Sequence, residues 1–431
     1  MTWSPAHPES VFTYGAPQLK FGPGAADEIG HDLGAMGARR VLVVTDAGVR
    51  ATGWPDRVAE GIRASGLETV VHASAHVEPT DASLVAAIEL AHADGPFDAF
   101  VAVGGGSAID TAKAVDLLLT CGGDLMDYVN LPVGAGRAPG RPLAPLVAVP
   151  TTTGTGAEST TICVLDVLDL KVKTGISHAR LRPTLAVVDP RLTATQPAGV
   201  TASAGMDILC HALESWTARP YTGYERKQPG ERVPYCGANP ISDLWSERSM
   251  SLLAKAFRSA VQDGSDEGSR GEMALAATFA GLGFGNAGVH VPHANAYPIA
   301  GRVRDFRPDD YPADEPMVPH GMAVALTAPA AFRWTFEADP GRHLAAARLL
   351  DPGHGPRWEA EPRDVLPGVL LDLMRDVGMP NGLYAVGYDE RDVGDLVEGS
   401  LRQQRLLATA PREVDGDDLA AIFTRSLQLW D

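Results

Sequence analysis

In the first half of the chain the apolar positions fall in short unbroken runs: "RRVLVVTD" (39–46), "ETVVHAS" (68–74), "DAFVAVGGG" (98–106), "APLVAVPTT" (144–152) and "TLAVVDP" (184–190). A strand with one wet face alternates apolar and polar residues, so continuous runs predict strands covered on both faces, as in a parallel sheet. Between them, "DASLVAAIELAHA" (81–93) and "SAIDTAKAVDLLL" (107–119) carry helical spacing and predict crossover helices. Together they predict a doubly wound, mostly parallel, Rossmann-like α/β domain. The stretch "TICVLDVLDLKVKTGI" (161–176) reads instead as a hairpin on the rim of the sheet.

Beyond 189–200 the β-rich runs stop. Helical spacing governs "ISDLWSERSMSLLAKAFRSAV", "EMALAATFAGLGFGNAGVHVPHANAYP", "GMAVALTAPAAFRW", "VLPGVLLDLMRDVG" and "DLAAIFTRSLQLW", which predicts an all-α second domain. We therefore expect an α/β domain over 1–198 and a helical domain over 199–431. Two Pro/Gly-rich interruptions, 219–240 and 301–319, exceed ordinary helix connections and read as functional loops or surface insertions.

Length agrees with two cores, because 431 residues exceed what one core usually organises. The net charge of −18 argues against nucleic acid or an anionic membrane as a partner and leaves small molecules. Cys121, Cys163, Cys210 and Cys236 form no C-x-x-C pair, as expected in a reducing compartment. With no leader pattern and no apolar run of about 18 residues, the expectation is a cytoplasmic protein.

Two loops at strand ends carry candidate nucleotide chemistry. Gly104, Gly105 and Gly106 would let a phosphate approach the backbone, and Ser107 opens a helix whose free N–H groups favour an anion. Asp110 follows on the same helix. The second loop, "PTTTGTGAES" (150–159), offers Thr151, Thr152 and Thr155. Asp46, ending the first strand, can bond the ribose hydroxyls of an adenosine and would repel a 2′-phosphate, which favours NAD over NADP; it can equally cap the next helix. In the usual fingerprint the acid follows the glycines, whereas here it precedes them.

The helical domain holds a second constellation. In "AGMDILCHALESW" (204–216) Asp207 and His211 lie four apart, hence side by side on a helix. His290 and His293 follow in "GNAGVHVPHANAYP", and His320 in "MVPHGMAV". One carboxylate with several imidazoles suits Fe²⁺ or Zn²⁺ rather than Mg²⁺ or Ca²⁺.

Taken in order, "GGGSAIDTAKA", "PTTTGTGAE", "MDILCHALES", "GNAGVHVPHANAYP" and "VPHG" resemble the iron-containing (group III) alcohol dehydrogenase family over nearly the whole chain. The resemblance implies a dehydroquinate synthase-like architecture, NAD, a homodimer, and a divalent metal, Fe²⁺ before Zn²⁺, on Asp207, His211, His293 and His320. His290 then belongs to the surroundings. Where that family usually has a second histidine, often assigned to proton transfer, this chain has Tyr297, placed either to relay a proton or to bond the substrate. Tyr297, the "YCGANPISDLW" loop, "LKVKTGI" and the spacer before His320 resemble the hydroxyacid-oxoacid transhydrogenase branch. That likeness implies hydride exchange between 4-hydroxybutyrate and 2-oxoglutarate. Acidic substrates need cationic partners, for which Lys171, Lys173, Arg302 and Arg304 are the candidates. The rival readings are an NAD-dependent alcohol or lactaldehyde dehydrogenase and, more remotely, a sugar-phosphate cyclase on the same fold.

Overall fold

The computed structural model describes residues 8–170, 172–311, 316–352 and 361–431. The chain divides into an α/β unit, Ala16–Gln196, and a helical unit, Pro197–Asp431, to which the segment ending at Gly15 also belongs. The sequence-based boundary had put that N-terminal segment with the α/β domain. It attaches to the helical unit through polar groups: Gly15 N–H donates to Asn286 Oδ1 at 2.9 Å, Asn286 Nδ2 donates to Gly15 O at 3.0 Å, and Arg232 Nη1 lies 2.7 Å from Glu9 Oε2. Apolar periodicity carries no signal of such contacts.

In the α/β unit, strands β1 (Gln18–Phe21), β2 (Arg40–Val44), β3 (Glu68–His72), β4 (Ala99–Gly104), β5 (Leu146–Pro150) and β8 (Leu185–Val188) form one sheet in the order β1-β8-β5-β4-β2-β3. Every pairing is parallel. Helices α1 (Ile29–Ala35), α2 (Ala47–Ala51), α3 (Trp54–Ala64), α4 (Asp81–Asp94), α5 (Gly106–Cys121) and α6 (Leu125–Tyr128) intervene. Strand residues alternate between two cores: Val41, Val43, Val101 and Val103 join Ile29 and Ile62 on one face, while Leu42, Val44, Phe100 and Ala102 join Ile109 and Ala112 on the other. Each Val, Leu, Ile or Phe among them contributes about 1.5–3 kcal/mol on full burial, which is why the strand runs are apolar throughout. Strands β6 (Ile162–Val167) and β7 (Val172–Ser177) pair antiparallel as a separate two-stranded sheet. The chain lays β3 on one side of β2 and then crosses to place β4 on the other. That reversal opens a crevice at the C-terminal ends of β2 and β4, the usual ligand position in such sheets.

The helical unit begins with α7 (Ala198–Thr217), α8 (Pro240–Gln262), α9 (Glu267–Ala287), α10 (Val291–Gly301) and α11 (His320–Thr335). Helices α12 (Pro340–Leu350), α13 (Pro362–Asp376), α14 (Val393–Leu401), α15 (Gln404–Leu407) and α16 (Gly416–Arg425) complete it. One apolar cluster joins α7, α8, α9, α11 and α13 through Met206, Leu209, Phe257, Met273, Leu326 and Leu370. The loop preceding α8 runs along the end of α9, where Cys236 and Gly237 donate their N–H groups to Asn286 O and Ala287 O at 2.9 and 3.0 Å. Asn239 then caps α8. Part of the 219–240 interruption thus buttresses the α9–α10 junction. Among the described residues no single helix is long and apolar enough to cross a membrane.

Candidate metal centre and nucleotide loops

Positions i, i+4 and i+7 of a helix share a face, and on α7 these are Asp207, His211 and Glu214. All three are buried. Helix α11 crosses α7 at Gly321, where an added Cβ would stand 2.8 Å from Asp207 Cβ and closer still to the Ser203 carbonyl oxygen. Glycine is what permits this approach. Met322 N–H donates to Ser203 Oγ at 3.0 Å, so the start of α11 is pinned and His320 Nε2 comes within 3.8 Å of Asp207 Oδ1. From α10, His293 Nε2 reaches the same oxygen at 3.5 Å, and His211 Nε2 stands 3.8 Å from it. Donor atoms of Asp207, His293 and His320 all lie within 4.8 Å of one another. His211 falls outside that mutual radius while facing the same carboxylate oxygen.

The rings are held in different ways. His211 stacks on Phe284, centroids 3.8 Å apart and planes inclined by 8°. His293 is oriented by Glu214, whose Oε2 contacts Nδ1 and whose Oε1 accepts the backbone N–H groups of His290 and His293 at 2.7 and 3.2 Å. His290, fully buried, turns Nε2 to Thr217 Oγ1 at 3.0 Å and stays outside the cluster. Tyr297 is buried on α10 with its ring edge-to-face to His320, centroids 6.5 Å apart. Sequence reasoning singled out Asp207 and His211 and passed over Glu214. The signal was present, since Glu214 continues the same helical face.

Burial alone would raise the Asp207 carboxyl, but His211, His320 and His293 around it hold it well below the usual range. Burial likewise opposes the charged form of His293, yet Glu214 and Asp207 lift it to about 9. His211 is pushed down to about 3 by burial. Asp207 Oδ1 and His293 Nε2 are buried and hydrogen-bond to none of the described residues. A carboxylate oxygen ringed by imidazole nitrogens, which become donors once a metal displaces their protons, fits a divalent first-row metal.

In the α/β unit Asp46 and the three glycines meet at the sheet crevice. Asp46 Oδ1 accepts from Val49 N–H at 2.8 Å and caps α2, while Oδ2 faces Gly104, 3.6 Å from where a Cβ would stand. A Cβ on Gly105 would lie 3.1 Å from Thr152 Oγ1, and one on Gly106 would lie 2.8 Å from Thr155 Cγ2. The glycine and threonine loops therefore abut. Thr151 Oγ1 is buried and has no partner among the described residues. Ser107 Oγ accepts from Glu78 N–H at 3.2 Å.

Other expected site residues are committed elsewhere. Asp110, read as cofactor-binding on the helix after the glycines, turns inward: its Oδ2 accepts Val164 N–H at 2.9 Å and its Oδ1 pairs with the fully buried Lys113 at 3.3 Å. Lys173, offered as a cation for substrate, is buried between Glu78 and Asp166, each at 2.7 Å. Arg302 pairs with Asp395 at 3.1 Å, and Arg304 with Asp392 and the Gly387 carbonyl. These three cations are neutralised by acids, most of them distant in sequence. Lys171 lies outside the described residues.

Two family models match the chain: iron-containing alcohol dehydrogenase over residues 16–190 and the C-terminal region of the Fe-containing alcohol dehydrogenase family over 233–427. The chain belongs to the iron-containing alcohol dehydrogenase family. As a member of that family it is an oxidoreductase acting on CH–OH groups, with NAD and a metal as cofactors. It is 42% identical to the mitochondrial hydroxyacid-oxoacid transhydrogenase of Bos taurus over 97% of this chain and 91% of that one. The Homo sapiens protein of that name is 41% identical, with 97% and 90% covered. Among solved structures, a 1,3-propanediol oxidoreductase superposes with a TM-score of 0.84 at 29% identity, covering 97% of this chain and all of its own. Sulfoacetaldehyde reductase from Bifidobacterium kashiwanohense, in complex with NAD+, gives 0.77 at 27% identity, with 97% and 99% covered. The cytoplasmic expectation is corrected by these comparisons, because the transhydrogenase relatives are mitochondrial proteins. That expectation rested on the absence of a leader pattern, a weak signal.

Proposed function

We propose that this iron-containing alcohol dehydrogenase family member is a hydroxyacid-oxoacid transhydrogenase, converting 4-hydroxybutyrate and 2-oxoglutarate to succinate semialdehyde and 2-hydroxyglutarate. The observation that carries the reading is the 42% identity with a transhydrogenase over 97% of the chain. The carbinol carbon of 4-hydroxybutyrate would give up hydride and its hydroxyl a proton to leave the aldehyde, and the keto carbon and oxygen of 2-oxoglutarate would gain hydride and a proton; bound NAD would supply the hydride carrier between the two.

Asp207, His211, His293 and His320 are the proposed metal ligands, iron being favoured over zinc by the family. A divalent ion held there supplies Lewis acidity at the substrate oxygen. Tyr297, buried beside His320, is proposed to bond that oxygen or pass on its proton. Asp46 and the glycine and threonine loops are proposed to hold NAD. A homodimer is part of the proposal, and light scattering tests it.

The decisive experiment supplies 4-hydroxybutyrate deuterated at the carbinol carbon, with 2-oxoglutarate and no added cofactor. Deuterated 2-hydroxyglutarate is expected. A second reading, an ordinary NAD-dependent dehydrogenase, draws on the likeness to 1,3-propanediol oxidoreductase. No label transfer, with steady reduction of added NAD, would establish it instead.

Cofactor preference has its own test. Asp46→Gly removes the charge that would oppose a 2′-phosphate, and glycine costs a helix N-cap only a few tenths of a kcal/mol. The NADP-to-NAD ratio of kcat/KM should rise about tenfold, the equivalent of roughly 1.4 kcal/mol. Equal use of both cofactors by the unaltered enzyme would remove the basis for this assignment.

A further inference from the structure

We infer that Glu214 is a positioning residue that sets which nitrogen of His293 is offered to the metal, and locks that choice to the start of α10. The inference rests on the proposed metal site. Helix α10 begins after His290, which gives no side-chain cap of its own. The cap comes from α7: Glu214 Oε1 accepts the N–H groups of His290 and His293. The same carboxylate turns its second oxygen to His293 Nδ1. A carboxylate only accepts, so Nδ1 carries a hydrogen, and in the neutral ring, the form that binds a metal, the lone pair is then on Nε2. That Nε2 is the nitrogen 3.5 Å from Asp207 Oδ1, buried and without a partner among the described residues. Glu214 is itself fully buried, and no cation from Lys or Arg pairs with it among the described ion pairs. A fully buried carboxylate facing imidazoles is an arrangement that raises ligand basicity, and such partners typically contribute 10–100-fold to metal affinity.

Glutamine at 214 separates capping from tautomer control. Its carbonyl oxygen can still accept both backbone N–H groups, but its NH₂ then faces His293 Nδ1. A donor cannot face a donor, so the ring is driven to carry its hydrogen on Nε2 and loses that ligand atom. Glu214→Gln should bind Co²⁺ 10–100-fold more weakly in chelator competition, with an altered visible Co²⁺ spectrum and a metal-free melting temperature close to that of the unaltered protein. Glu214→Asp keeps the charge and should recover part of the affinity. A folded Gln variant with unaltered affinity and spectrum overturns the inference, as does an Asp variant no better than Gln. If the Gln variant does not fold, ¹⁵N spectra of the Zn²⁺-loaded unaltered protein decide, a hydrogen on His293 Nδ1 supporting the inference and metal on that atom refuting it. Failure of the unaltered protein to bind Co²⁺ one-to-one, or undiminished binding by His211→Ala, would instead bring down the metal-site reading and this inference with it.

Discussion

His211→Ala is expected to empty the protein of metal and abolish its activity. The substitution removes one of four proposed donors together with the ring that stacks on Phe284. Outer partners of metal ligands are typically worth 10–100-fold in affinity, so loss of a ligand itself should exceed about a hundredfold. His290→Ala supplies the contrast. That histidine is equally buried, but its Nε2 is engaged by Thr217, so removing it should cost about 1–3 kcal/mol of stability and leave metal content near one per chain. Elemental analysis after dialysis against a chelator reads both. Full occupancy in the His211 variant with loss in the His290 variant would reassign the site.

Gly321→Ala should also weaken the site, without touching any donor. The new methyl group would meet the α7 backbone at Ser203 and the Cβ of Asp207, neither of which can rotate away. Helix α11 must then back off from α7, and His320, its first residue, moves with it. Overpacking of this kind costs about 1–3 kcal/mol, so the variant should fold with a melting temperature lower by a few degrees. Its metal affinity should fall by at least about tenfold, comparable to losing an outer partner. Affinity equal to that of the unaltered protein would mean that the helix crossing does not position His320.

The sequence displayed whatever depends on local spacing. Unbroken apolar runs located the strands β2, β3, β4, β5 and β8, and the i, i+4 spacing put Asp207 beside His211. It was silent on pairings between distant segments. Lys173 looked like a free cation, although one partner, Asp166, lies opposite it in the hairpin; the other, Glu78, lies 95 residues away. Asp110 looked like a cofactor-binding residue because it follows Ser107 closely, but on α5 its carboxylate is turned toward Val164. Glu214 was legible in principle, since it lies three residues beyond His211 on the same helical face. It was overlooked because a glutamate in an apolar helix gives no hint of which backbone it will cap.

The strand order carries a consequence for how sites of this kind are recognised. Asp46 and the glycines sit on neighbouring strands, β2 and β4, although β3 and its helix separate them along the chain. A linear fingerprint with the acid downstream records one threading of the sheet. Here the same two turns are visited in the opposite order. Chemistry depends on adjacency, whichever order the chain takes through the turns. A pattern that permits either order, with a strand of intervening chain, would find this site where a fixed one passes it by.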